Sequence, residues 1–402
     1  MDNIKRQLKQ DLYLIALSGI IGLTSLFSLP RFAPLILLIP VFWTLARTRT
    51  AAFMVVLVYH LAISRGLAPG ARVFLSAYEN TFSNGLILWF LMSLGVALPF
   101  GLFWSLKRRL KASCLFGAFL TAYFLPPIAL IGVENPMMAA GCLFPGLGWY
   151  GLIFLSGLYL LCAVSRRIAL IFIACILLMP ALNVGGLQAP KLPEGFLSIN
   201  TSFGRLGSGS FDFQNDFERI NMVFQDLRSR KIREADSHYI LLPETIGGRL
   251  NRPGMDLWQR EFDDLLREDQ TILFGAELPT GDGLKYDNAL IMLSQGKFQH
   301  VAQRIPVPYS MYRPFSKIGA NLHLWDDGIL PLPGGGKAAV VVCYEAFLTL
   351  PYMVSMIEQP DLLICVANMW WCRETSLTIL QKRNVALWAQ LFGVPVAYAR
   401  NH

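Results

Sequence analysis

Uncharged apolar runs of roughly 15 to 21 residues recur near 12–29, 33–46, 50–64, 85–105, 113–132, 147–164 and 168–185, and none of that length follows. Such runs have the length a helix needs to cross a hydrocarbon core of about 30 Å. The pattern predicts a polytopic α-helical membrane bundle over residues 1–187 with about seven spans. The second and third runs are short enough to form one re-entrant pair instead. After the turn-rich stretch from Val184 to Pro193 the rhythm changes. Strand-length apolar runs appear at 196–201, 238–242, 271–274, 289–293, 338–343, 362–367 and 394–399, with helical periodicity at 217–232 and 258–266. Strands interleaved with helices predict an α/β domain over 188–402, large enough to bury its own core.

Charge sharpens this division. Residues 1–187 hold 14 Lys and Arg against 4 Asp and Glu, whereas the remainder is slightly acidic, so the net charge of +8 belongs to the apolar half and leaves no nucleic-acid footprint. The cations also set an orientation, because Lys and Arg near span ends stay on the cytoplasmic side. Lys5, Arg6 and Lys9 place the N-terminus inside, and alternate connections carry Arg47 and Arg49, then Lys107, Arg108, Arg109 and Lys111, then Arg166 and Arg167. An odd number of spans puts the α/β domain on the far side, the periplasm if the membrane is a bacterial inner membrane. A cleavable signal peptide is not expected, because further apolar runs follow the first. The seven cysteines show no CxxC spacing and the histidines no metal-ligand spacing, so neither a disulfide framework nor a metal site is indicated.

Two apolar strands end in reactive groups. One runs Tyr239 to Leu242 and continues Pro243-Glu244; the other runs Val340 to Val342 and continues Cys343-Tyr344-Glu345. Strand ends are where open α/β folds keep their chemistry. A carboxylate shielded by an apolar strand can accept the proton a thiol must lose to become a nucleophile. Taken singly, a cysteine closing an apolar strand is most often a core residue, and Pro-Glu after a strand is usually a solvated turn.

Leu242-Pro243-Glu244, Val342-Cys343-Tyr344-Glu345 and Asn368-Met369-Trp370-Trp371 follow the order and approximate spacing of the carbon-nitrogen hydrolase (nitrilase) superfamily. With helical spans in front, the layout resembles apolipoprotein N-acyltransferase, and it is also similar to a group of conjugal transfer proteins of rhizobial plasmids. The resemblance implies an αββα sandwich with a Glu-Lys-Cys triad, no cofactor, and a thioester acyl-enzyme whose acyl group passes to an amine or water. It assigns the base to Glu244 and the nucleophile to Cys343, and lets Tyr344 and Glu345 shape the site. A membrane phospholipid or an amide is the implied acyl donor, and membrane lipid and a pilus subunit or other conjugation protein are the implied partners.

The chain departs from that pattern at several positions. The triad lysine falls on Gln303, with Arg304 beside it; an arginine can steady an oxyanion but does not readily give up a proton. Two acidic positions of the acyltransferases fall on Met311 and Met369. Lys297 and Lys317 are candidate replacements for the lysine, although an exposed lysine is ordinarily a solvated charge. Trp370 is a candidate for contact with an acyl chain, though tandem tryptophans also serve as core or interfacial anchors. The Gly334-Gly335-Gly336 run reads as a hairpin turn. Three functions follow: acyl transfer through Cys343 and Glu244, with Arg304 or Gln303 at the oxyanion; a non-catalytic assembly role, favoured by loss of the lysine; and transport, for which the spans offer few ionisable residues.

Overall fold

A computed structural model describes residues 2–24, 29–74, 82–205, 213–281, 283–294 and 296–402. The end of the first apolar run, residues 25–28, lies outside the described residues. Contacts divide the chain into two compact units: Met1–Pro190 with Phe347–Leu350 and Trp371–Gly393, and Lys191–Ala346 with Pro351–Trp370 and Val394–His402. A single boundary at residue 187 therefore does not describe the contacts, because two later segments join the first unit.

The first unit is helical: α1 (Asp2–Leu23), α2 (Leu38–Leu45), α3 (Arg49–Ile63), α4 (Leu67–Phe74), α5 (Phe82–Leu102), α6 (Arg108–Tyr123), α7 (Ala140–Leu143), α8 (Gly148–Val164) and α9 (Arg166–Leu182). Each apolar run of the sequence contributes a helix. The runs are longer than many of the helices, because turns at Pro126-Pro127 and Pro145 and the 3₁₀ segment Pro30–Leu37 interrupt them. Among the described residues, Asn84–Leu102 is the one helix long and apolar enough to cross a membrane unaided. Two bent pairs reach that length together: Arg49–Ile63 with Leu67–Phe74, at 52°, and Pro136–Leu143 with Gly148–Val164, at 109°.

Small residues allow the helices close approach. A Cβ on Gly22 of α1 would lie 2.7 Å from Ala62 Cβ and from Tyr59 O of α3. The late helix Leu377–Phe392 belongs to this unit because its polar side chains reach backbone between 133 and 141: Asn384 Nδ2 donates to Val133 O (2.9 Å) and Gln390 Nε2 to Gly141 O (2.9 Å). Arg383 of the same helix donates to both oxygens of the buried Glu134, at 2.8 and 3.0 Å, and Tyr59 Oη donates to Glu134 at 2.9 Å.

The second unit carries two sheets. The first has the order β1-β2-β3-β4-β5, with β1 (Phe196–Ser198), β2 (Tyr239–Leu241) and β3 (Thr271–Thr280) parallel. Then β4 (Lys285–Ser294) and β5 (Lys297–Ala302) run antiparallel, and the short β6 (Gly319–Ala320) pairs with β4. The second sheet has the order β10-β9-β8-β7, from β7 (Ile329–Pro331), β8 (Lys337–Val342), β9 (Leu362–Asn368) and β10 (Val396–Asn401). The turn between β7 and β8 contains the triple glycine, as expected for a hairpin.

Helices α10 (Phe213–Ser229) and α11 (Arg252–Leu265) cover the first sheet. Their apolar stripes, Ile220, Val223, Phe224 and Leu227 on one and Trp258, Phe262 and Leu265 on the other, pack on Ile240, Ile272, Phe274 and Ile291. Every residue of β9 is buried, which is why it reads as an unbroken apolar run. In sequence, α12 (Leu350–Ile357) precedes β9 and α13 (Leu377–Phe392) follows it.

Candidate active site

Five strands of the second unit bring the site together. Glu244 follows β2, Asn288 lies in β4, Gln303 follows β5, Cys343 follows β8 and Asn368 ends β9. These polar residues close or interrupt apolar strands, so burial forces their side chains to find partners in one another. Asn288 Nδ2 donates to Glu244 Oε1 at 2.7 Å and to Gln303 Oε1 at 2.8 Å. The Asn368 backbone N–H donates to Glu244 Oε2 at 2.7 Å, and the Cys343 thiol hydrogen-bonds the same carboxylate. Gln303 Nε2 donates to Val342 O, the carbonyl preceding Cys343, at 3.0 Å. Burial pushes the Glu244 carboxyl above the ordinary carboxylate range, opposed by the hydrogen bonds from Cys343, Asn288 and Asn368.

Backbone geometry supports the arrangement. Cys343 (φ 50°) and Thr245 (φ 59°) both hold the left-handed conformation that non-glycine residues rarely adopt. At Gly275 of β3 an added Cβ would meet Glu244 Cα at 2.4 Å, so the bare strand lets the base sit against the sheet. Asn368 Nδ2 donates to Thr245 Oγ1 (2.8 Å), and Asn401 Nδ2 donates to Asn368 Oδ1 (2.9 Å), tying the end of β10 into the same network.

Glu345 and Arg304 have different surroundings from the pair. The Glu345 carboxylate accepts the backbone N–H groups of Arg304 (2.5 Å), Ile305 (3.0 Å) and Val342 (2.9 Å), clasping the segment after β5 to the end of β8. Arg304 is buried, and its guanidinium donates to Val340 O (2.8 Å), Pro351 O (2.9 Å), Asp327 O (3.2 Å) and Ser355 Oγ (2.7 Å). Four acceptors therefore hold the side chain expected at the oxyanion. Tyr344 is half-buried next to the cysteine, and Trp370 lies under the Arg205 guanidinium, 5.5 Å from the ring centroid. Trp371 belongs to the helical unit, where its ring meets Phe74 edge-on. Lys297 and Lys317 are solvent-exposed, unlike the buried Glu244 and Cys343. Met369 is buried and Met311 half-buried.

Asn288 and Glu277 escaped the sequence reading, although a polar residue inside an otherwise buried strand is a readable signal. Glu277 of β3 sits opposite Asn288 of β4, and burial pushes its carboxyl up to about 7, with Arg249 and Arg219 opposing and Glu244 adding to the shift. The folded chain thus holds a proton there that the unfolded chain releases in the ordinary carboxylate range. This contribution to stability is complete below about pH 4.3 and is lost as pH rises through about 7. Glu277→Gln is expected to raise stability at pH 8 by on the order of 1–3 kcal/mol and to change little at pH 4. Melting temperatures of wild type and variant across that range check the slope; parallel curves contradict it.

The described residues form a helical unit and a two-sheet α/β unit that buries a cysteine–carboxylate pair. A Nesterenkonia amidase of the nitrilase superfamily aligns over 52% of this chain and 78% of its own, at 13% identity and a TM-score of 0.37. No family model matches the sequence. Conjugal transfer protein TraB of Agrobacterium fabrum is 31% identical over 407 residues, covering 96% of this chain and 92% of that protein. The probable conjugal transfer protein TraB of Sinorhizobium fredii is 29% identical, covering 99% and 100%. The chain belongs to the TraB family of conjugal transfer proteins.

Proposed function

We propose that this protein is a membrane-embedded acyl-transfer enzyme of plasmid conjugation, in which Cys343 takes an acyl group as a thioester and Glu244 carries the proton. The observation behind this reading is the hydrogen bond between the Cys343 thiol and the buried Glu244 carboxylate, which pairs a nucleophile with a base inside the protein. Arg304, its guanidinium bound to four protein acceptors, is committed to the fold rather than to an oxyanion. Tyr344 and Trp370 are the nearest candidates for substrate contact, with Glu345 supporting the loop that carries Tyr344.

The helical unit supports placement in the inner membrane. It exposes large apolar side chains on successive helices, among them Leu12, Ile87, Phe116, Ile153, Ile171 and Leu178, an outward face suited to lipid rather than water. Cation-bearing connections meet at one end: Arg47 Nε donates to Gln10 Oε1 (2.9 Å), and Lys111 Nζ to Thr44 O (2.6 Å) and Ala46 O (3.2 Å). This favours a cytoplasmic N-terminus and a periplasmic α/β unit. Phospholipid then serves as acyl donor, and a pilus subunit or another conjugation protein as acceptor.

Peptide mass spectrometry of membrane-purified protein tests the reading. A hydroxylamine-sensitive acyl adduct is expected on Cys343, absent in Cys343→Ala and reduced at least tenfold in Glu244→Ala. Folded protein that stays unmodified after incubation with phospholipid favours a second reading, that of a non-catalytic assembly factor. The neutral Gln303 at the triad's lysine position is the feature that recommends it.

A further inference from the structure

We propose that Gln303 is a positioning residue for a two-member pair, its amide aligning Glu244 on the Cys343 thiol through Asn288 while leaving the pair one proton and no ammonium. This rests on the acyl-transfer reading above. The amide is fixed at both ends, since Nε2 donates to Val342 O (3.0 Å) and Oε1 accepts from Asn288 Nδ2 (2.8 Å). Asn288 uses the same amide group to hold Glu244 Oε1 (2.7 Å). Gln303 therefore bridges the residue preceding the nucleophile to the residue that orients the base. Both Gln303 and Asn288 are about 1% exposed, so water does not compete for these bonds.

The groups facing the pair are mostly acidic or neutral. Glu277 comes from β3, Glu345 follows β8, Cys365 lies in β9 and Tyr398 in β10. Of the neighbouring cations, Arg304 is bound to Val340, Pro351, Asp327 and Ser355, Arg400 to Tyr398, and Arg249 to Gly283 O. Arg219 acts on Glu277.

The pair then holds one proton at a time through the cycle. As Sγ of Cys343 attacks the acyl carbon, its proton moves to Glu244. As the bond from that carbon to the leaving oxygen, sulfur or nitrogen breaks, the proton passes from Glu244 to the leaving atom. An amine or water attacks the thioester and gives a proton to Glu244, and the departing Cys343 sulfur takes it back.

Alkylation of Cys343 by iodoacetamide in the full-length, detergent-purified protein tests this without requiring acyl transfer. For wild type the rate is expected to show a base-assisted plateau above the ionisation of Glu244, then a second rise in the alkaline range as free thiolate forms. Gln303→Met removes the bridge, so the plateau should drop about tenfold while the alkaline limb stays in place, a split that mere loosening of the fold would not produce. Gln303→Lys introduces the missing cation and should move the alkaline rise down by at least one pH unit. If Gln303→Met keeps the wild-type profile while Gln303→Lys leaves the alkaline rise unmoved, the assignment is overturned. A wild-type profile already governed by thiolate below pH 7 also overturns it. The expected profiles without any acyl adduct would instead count against the acyl-transfer reading alone.

Discussion

Arg304→Met is expected to destabilise the two-sheet unit by about 3–5 kcal/mol, a large share of the stability of a typical domain. The side chain stands at a junction of four segments: the end of β8, the start of α12, the loop at Asp327 and the stretch after β5. Methionine matches its length but donates nothing, so two side-chain or carbonyl acceptors from α12 and the carbonyls of Val340 and Asp327 lose buried partners. It also removes the cation 3.6 Å from Glu345, each side chain being about 1% exposed. Space is equally specific there: a Cβ on Gly328 (φ 66°) would lie 2.6 Å from the guanidinium carbon. Arg304→Lys restores the charge without the planar fork and is expected to recover less than half of the loss. Thermal unfolding with limited proteolysis of the purified protein measures both variants; a melting temperature within about 2 °C of wild type for Arg304→Met would refute this account.

In the helical unit, Arg383→Met leaves Glu134 buried with Tyr59 as its remaining hydrogen-bond donor among the described bonds. An uncompensated buried carboxylate costs about 3–5 kcal/mol, whereas apolar replacement of both partners is often close to neutral. The double variant Glu134→Met/Arg383→Met should therefore be more stable than Arg383→Met alone, despite carrying one more substitution. Denaturant titration in mild detergent gives the comparison. A double variant less stable than the single would show that the ion pair's partners act independently. The bond matters to the architecture because it joins residues 249 apart in sequence and fastens α13 to the helical unit.

All seven strand-length runs became strands, because each is an apolar stretch whose burial on a sheet is close to obligatory. The edges were less legible. Strand β5 carries exposed Lys297, Gln299 and His300 and has no apolar alternation to announce it, while β7 is three residues long and contains Pro331. The pairing of Glu244 with Cys343 was readable from strand-end position and motif order. The roles of Asn288 and Arg304 were not, since they depend on which way a side chain turns once two strands have met. Helix α13 reads as part of the α/β domain by sequence position, yet Arg383, Asn384 and Gln390 draw it to residues 133–141, a pairing no local pattern records.

The bond from Asn401 to Asn368 and the pairing of Thr201 with Asn401 also set a timetable. A site that needs residues 200 positions apart cannot close until the later one has emerged from the ribosome. Until then β9, which ends in Asn368, lacks the neighbour that β10 supplies, and its open edge is exposed to mispairing. Emergence of β10, rather than completion of the earlier strands, is the event that starts the life of the site.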